Sequence, residues 1–167
     1  MEYPKLNNFN EMYTPPEAMR YIIPRLQKDK VYRECCYWMW HMADEMRKQW
    51  YNVIWNKDID CLQYEPWLDY DIIITNPPFN WNKKFIKRCI ELWKPFALLL
   101  RLEHLWGVEA MELLWNIDFQ IIIPEKRINY ITPKMMQWQK VWGSPFHSIR
   151  LTFGIWLPKQ INYVNYS

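Results

Sequence analysis

Glycine is scarce in this chain. Its 167 residues include only Gly107, Gly143 and Gly154, whereas ordinary usage near 7% would give about a dozen. The shortage bears on ligand turns, because nucleotide-binding folds place glycines where backbone must approach a phosphate or cofactor. Paired cysteine spacings are lacking too. Cys35, Cys36, Cys61 and Cys89 contain no CxxC pair, which argues against a zinc clip. The start Met1-Glu2-Tyr3-Pro4 has no apolar h-region, so a secretion signal is not expected. The cysteines then read as reduced thiols in an intracellular, cytoplasmic protein. No apolar run approaches the roughly 18 residues of a membrane helix, so no membrane partner is expected. No repeat, low-complexity tract or linker divides the chain, and one domain over residues 1–167 follows.

Aromatic and apolar residues are abundant. Twelve tryptophans stand in a chain that is 50% hydrophobic, enough for a core without staples. The net charge of +3 permits nucleic-acid binding without demanding it. Basic residues cluster at Lys83-Lys84-Lys87-Arg88 and at Lys126-Arg127, patterns that a solvated face also produces.

Hydrophobic patterning predicts alternating helices and strands. Residues 15–27 read as an opening helix with Thr14 as its N-cap, Pro15 and Pro16 in its first turn and a kink or end at Pro24. A strand near 30–34, a helix over 38–49 and a strand over 51–55 follow. Residues 70–75 are the clearest strand, since the unbroken Ile72-Ile73-Ile74 run suits burial on both faces of a parallel sheet. Residues 81–93 form an amphipathic helix with Phe85, Ile86, Cys89, Ile90 and Trp93 inward. Strands at 96–100, 119–123 and 148–156, with a helix at 108–115, complete the pattern. Such alternation implies an α/β fold with a mostly parallel central sheet flanked by helices.

The chemistry-bearing segment is Asp71-Ile72-Ile73-Ile74-Thr75-Asn76-Pro77-Pro78-Phe79. In open α/β sheets, ligands bind beyond the carboxyl ends of the strands. Two prolines stiffen the backbone there and remove two N–H donors. The Asn76 side-chain carbonyl and the Pro77 carbonyl can together accept both hydrogens of an aromatic amino group. A planar base can stack on Phe79.

This run resembles motif IV, (N/D/S)PP(Y/F/W), of the adenine-N6 DNA methyltransferases of phage and viral type. Tyr13-Thr14-Pro15-Pro16 resembles their cofactor-contacting YTP box, and Lys94–Leu100 resembles their next strand. Arg127–Tyr130 and Ser144–Ser148 resemble their later segments, so most of the chain is covered in family order. The resemblance implies a Rossmann-like class I methyltransferase fold with S-adenosylmethionine as methyl donor. It also implies a nucleic-acid substrate, DNA first, whose adenine flips into the site. Asn76, Pro77, Pro78 and Phe79 become the catalytic candidates. Tyr13, Thr14, Pro15, Glu34, Cys36, Asp58 and Asp60 become the cofactor candidates, and no metal is required. Lys83, Lys84 and Arg127 are candidates for phosphate contacts, with Ser144, Phe146 and His147 beside them on the substrate side. Trp138 and Trp142 are candidates for base stacking or for the core. The chain divides into an N-terminal segment (1–29), a cofactor and NPPF core (30–101), target-facing loops (102–147) and a final strand with tail (148–167).

Motif I departs from the family pattern. Glu34-Cys35-Cys36-Tyr37-Trp38-Met39-Trp40 keeps the acid but has no glycine, although glycine there reaches positive φ and admits a ligand close to the backbone. Trp50 and Trp55 replace small residues, and Arg101 stands where proline is expected. The chain therefore reads either as an adenine methyltransferase or as a methyltransferase-like binding protein without cofactor. RNA adenine is an alternative substrate. A protein-glutamine substrate fits less well, since the lead before the domain is short.

Overall fold

The computed structural model describes residues 14–36, 41–55, 61–63, 68–131, 144 and 146–165. Among them the order is β1 (Val31–Glu34), α1 (His41–Lys48), β2 (Asn52–Trp55), β3 (Ile72–Thr75) and α2 (Asn82–Leu92). Then come β4 (Phe96–Arg101), α3 (Val108–Leu114), β5 (Phe119–Pro124), β6 (Ser148–Phe153) and β7 (Ile161–Val164). The strands form one sheet in the order β2-β1-β3-β4-β6-β5-β7. Pairing is parallel except where β6 runs against both β4 and β5.

The isoleucine run lies at the centre of the sheet, as its sequence predicts. Strand side chains alternate between faces, so Ile72 and Ile74 turn one way and Ile73 the other. Ile72, Ile74, Ala97 and Leu99 join one buried cluster with Met19, Ile22, Met42 and Met46. Ile73, Phe96, Leu98 and Leu100 join a second with Phe85, Ile86 and Cys89 of α2 and Leu114 of α3. Burial on both sides leaves β1 and β3 free to vary only at their tips. Those tips lie side by side at the carboxyl edge of the sheet.

Four expectations need correction. Residues 15–27 are not one helix but two 3-10 turns, Pro16–Met19 and Ile23–Arg25. Pro24 has no N–H to donate, which suits the broken geometry. Thr14 does not cap that segment, since Pro15 holds the N-cap position without a side-chain bond. Trp93 does not point inward: it ends α2 in the left-handed conformation (φ 50°) and is 67% exposed. The last strand stops at Phe153, where Gly154 turns at φ 65°, and the tail adds the edge strand β7. A Cβ at Gly154 would meet Pro95 Cγ at 3.0 Å, so glycine fits this turn sterically as well. Of the segment 102–147, residues 108–114 and 119–124 are α3 and β5. Among the described residues no helix is long and apolar enough to cross a membrane.

Candidate functional site

Strand β3 delivers Asn76 to the carboxyl edge, and the two prolines turn the chain there. Pro78 holds φ −53° and ψ 129°, and its carbonyl accepts the Trp81 N–H (2.8 Å). A 3-10 turn, Phe79–Trp81, then leads directly into α2. Asn76 and Pro78 are half-buried, and Pro77 is buried. Asn76 and Pro78 therefore keep some contact with solvent.

The Asn76 amide is held at one end only. Its Nδ2–H donates to Thr14 Oγ1 (2.8 Å) across 62 positions of sequence. Thr14 is 7% exposed, so this anchor is shielded from water. Asn76 Oδ1 is buried and has no donor among the described residues. With the nitrogen end fixed, the oxygen is left as a lone acceptor. An unpaired buried carbonyl is uncommon and expensive, so it marks a place for a ligand donor.

One strand away, the β1 tip carries the acid. Glu34 is 4% exposed and accepts from the Thr75 hydroxyl and from the Cys36 N–H (2.9 Å). Burial pushes its carboxyl up to about 8, against the pull of those two donors and of the Arg150 charge. Glu34 thus ties the β1 and β3 tips together as a largely neutral acid at pH 7. The Cys36 thiol is raised as well, first by desolvation and then by the neighbouring Glu34 charge.

Beyond the corner, Phe79 belongs to an aromatic trio. Its ring meets Phe146 edge-on at 5.1 Å and Tyr130 at 5.6 Å. Phe79 is 8% exposed and Phe146 7% exposed. The Arg101 guanidinium sits 4.4 Å from the Phe146 centroid and pairs with Glu103. Tyr130 anchors the trio through a hydroxyl bond to Ser148 Oγ (2.9 Å). Phe146 therefore braces Phe79 and does not lie open as a surface contact.

The remaining sequence candidates occupy three places. Arg127 donates to His147 Nε2 (3.0 Å) and to the Ser144 carbonyl (3.4 Å), a small exposed cluster near Phe146. Lys83 pairs with Glu109 (2.6 Å), and Lys84 is exposed with its ammonium 5.6 Å from the Trp81 ring. Tyr13, Asp58, Asp60, Trp138, Trp142 and the turn 37–40 lie outside the described residues. Pro15 starts the first 3-10 turn, next to the Thr14 anchor. Sequence reasoning missed the Thr14–Asn76 bond and the bracing role of Tyr130. Both residues stood in quoted segments, but nothing in spacing alone pairs positions so far apart.

A mixed seven-stranded sheet with one reversed strand, carrying an acid and a proline corner on adjacent parallel tips, has the class I methyltransferase fold. A solved structure agrees. The chain superposes with a TM-score of 0.60 and 12% identity on a Listeria monocytogenes protein assigned to the class I S-adenosylmethionine-dependent methyltransferases, covering 97% of this chain and 68% of that one. Looser likenesses are to an Agrobacterium tumefaciens protein assigned as an O-methyltransferase (TM-score 0.43, 10% identity, 87% and 84% covered). A Thermoplasma acidophilum protein assigned as a methyltransferase follows (TM-score 0.36, 14% identity, 91% and 69% covered). No protein-family model and no curated protein sequence matches the chain. At these identities the likeness defines the fold and leaves the substrate to site chemistry.

Proposed function

We propose that this chain methylates the N6 amino group of adenine in DNA, with S-adenosylmethionine as donor. The observation that carries this reading is the fixed and unpaired Asn76 Oδ1 at the tip of β3. Thr14 holds the amide nitrogen, which leaves the acceptor oxygen for a ligand donor. One amino hydrogen donates to Asn76 Oδ1 and the other to the Pro77 carbonyl. Both bonds draw the nitrogen lone pair out of conjugation with the ring and make it nucleophilic. Rate comes from holding that nitrogen in line for attack. The proton released on methylation passes to water, so no strong base is required.

The β1 tip fits a cationic cofactor. Glu34 is a buried carboxyl without an ion pair within 4 Å among the described residues, and an arriving ammonium supplies the countercharge that burial denies it. Glu34 and the backbone at Cys36 are the residues that would hold S-adenosylmethionine, which supplies the methyl group when bound.

Asn76→Ala removes the acceptor and leaves the cofactor side intact. Nucleoside mass spectrometry of adenine-containing DNA should then show at least about a 100-fold loss of N6-methyladenine formation. Cofactor affinity by calorimetry should stay unchanged. Full activity in this variant would end the proposal.

A second reading, a methyltransferase-like binding protein without catalysis, draws on Phe79, whose ring is already engaged by Phe146 and Tyr130. Thermal unfolding with saturating S-adenosylmethionine separates the two, because specific binding raises the melting temperature by mass action. A shift supports the enzyme, and its absence supports the binding protein.

A further inference from the structure

Unpartnered polar atoms gather on one flank of the proline corner. Asn82, the first residue of α2, is 1% exposed, yet neither its amide nitrogen nor its oxygen has a partner among the described residues. Arg101 Nε and His104 Nε2 are buried and unpartnered in the same way. These groups are linked through Phe79 and Lys83. Asn82 lies three positions beyond Phe79, and the Arg101 guanidinium is 5.8 Å from the Phe79 ring. Arg101 and Lys83 both act on His104, whose pKa is lowered first by burial and then by these two cations. Folded chains seldom leave several buried polar groups open in one place without a use for them.

The set is built for a negative charge. Arg101 Nε and Asn82 Nδ2 are donors, and burial first, then the two cations, lowers the His104 pKa, so the neutral ring carries a proton on one nitrogen. Helix α2 has eleven residues, no side-chain cap and no acid in its first turn, so no side-chain charge offsets its N-terminal dipole, although the Trp81 and Asn82 N–H groups are taken by the Pro78 and Phe79 carbonyls. The acids nearby are Glu103 on Arg101 and Glu109 on Lys83, with side chains 49% and 63% exposed. Both can yield their cations to a better anion and remain solvated.

We propose that Asn82, Arg101, His104 and the start of α2 bind a phosphodiester group of the strand that carries the target base. This rests on the nucleic-acid reading of the Asn76 corner and extends it. A phosphodiester is the anion that arrives tethered to a base, and this flank adjoins Phe79, three positions beyond the Asn76 acceptor proposed to hold that base. Held there, the phosphate pins the backbone while the base reaches Asn76. Contacts of this kind position a strand and carry no sequence information.

The test uses the full chain and a short labelled single-stranded oligonucleotide with one adenine, read by fluorescence anisotropy. A single methylphosphonate, neutral in place of a phosphate, is placed in turn at each position flanking the adenine. Wild type should lose affinity about tenfold at one position. Arg101→Gln should already lack that factor and lose nothing more there, and its salt slope should fall by about 0.7. If wild type tolerates every flanking methylphosphonate, the phosphate site is overturned. Adenine-dependent binding in that same series would leave the Asn76 reading standing. Conversely, a methylphosphonate effect that survives removal of the adenine base keeps this site and sinks the base-reading corner. Inorganic phosphate that raises the melting temperature without displacing the oligonucleotide overturns assignment of the site to the strand. The modification is in the ligand, so the wild-type result does not depend on how Arg101→Gln folds.

Discussion

The two edges of the sheet differ in what they leave unfinished. The carboxyl edge collects open polar atoms: Asn76 Oδ1, the Asn82 amide, Arg101 Nε and His104 Nε2. The opposite edge collects exposed indoles. Trp50, Trp93 and Trp115 each precede a parallel strand, and Trp156 follows the reversed strand β6. They are 89%, 67%, 79% and 83% exposed. A cavity of about 320 Å³ opens beside Trp156 at this edge, lined mainly by apolar side chains and backbone. Among the described residues, Trp50 and Trp93 are also the non-glycine residues at positive φ, at 64° and 50°.

The contrast explains where the odd composition goes. Glycine scarcity and tryptophan excess come together at the amino edge, where indoles occupy left-handed positions that glycine would fill without strain. At the carboxyl edge the described geometry is built from prolines, amides and an acid, and positive φ is confined to Gly107. Substitutions at the two edges should separate accordingly, with function and pH response on one side and backbone strain on the other.

The largest effect is expected at Glu34. Glu34→Ala leaves the Thr75 hydroxyl and the Cys36 N–H without their buried acceptor. Stability should fall by about 3 kcal/mol in urea unfolding, since each orphaned group costs about 1–3 kcal/mol. Glu34→Gln keeps an acceptor oxygen for both and should lose much less. Equal losses in the two variants would mean that volume, not hydrogen bonding, holds the tips together.

Next in size is a pH response. The folded pKa of Glu34 is raised to about 8 from 4.5, so the folded chain holds this proton more tightly than the unfolded chain does. Its contribution to stability is complete below pH 4.5 and is lost as pH climbs to about 8. Binding of a cationic cofactor runs the other way, because the ion pair needs the ionised acid. Calorimetry should show S-adenosylmethionine affinity rising by up to about tenfold per pH unit from pH 6 towards pH 8. Glu34→Gln should flatten that rise. A flat wild-type profile would make Glu34 a brace alone and remove the acid from the cofactor site.

The same contrast shows how much was legible beforehand. The isoleucine run, the alternation into α/β units and the proline corner follow from local rules, because periodicity and proline chemistry act over a few residues. Strand β7 was missed because Ile161–Val164 is a short edge strand with only one face packed, a pattern a polar tail can share. The helix expected over 15–27 failed because Pro24 breaks the backbone where composition still looks helical. Trp93 was expected inward from its helical spacing, yet it follows the last turn of α2 and takes the left-handed cap. At the site, residue types were readable but partners were not. Thr14 looked like a cap because threonine caps helices locally, and only the folded chain brings Asn76 to it.

The smallest effect tests the amino edge. Trp50 is almost fully exposed, so its left-handed backbone is offset by little packing. Replacing it with glycine relieves strain of about 1–2 kcal/mol and returns part of that as extra freedom in the unfolded chain. A net gain of about 0.5 kcal/mol should remain, raising the melting temperature by roughly 1–2 °C without changing methylation. Trp93 has the same backbone but its ring lies 5.4 Å from Phe153. That contact is worth about 0.5–1.5 kcal/mol, enough to cancel the relief, so Trp93→Gly should give no gain. Differential scanning calorimetry of both variants decides the matter. Equal stabilisation by the two would show that Phe153 contributes nothing, and that strain alone governs this edge.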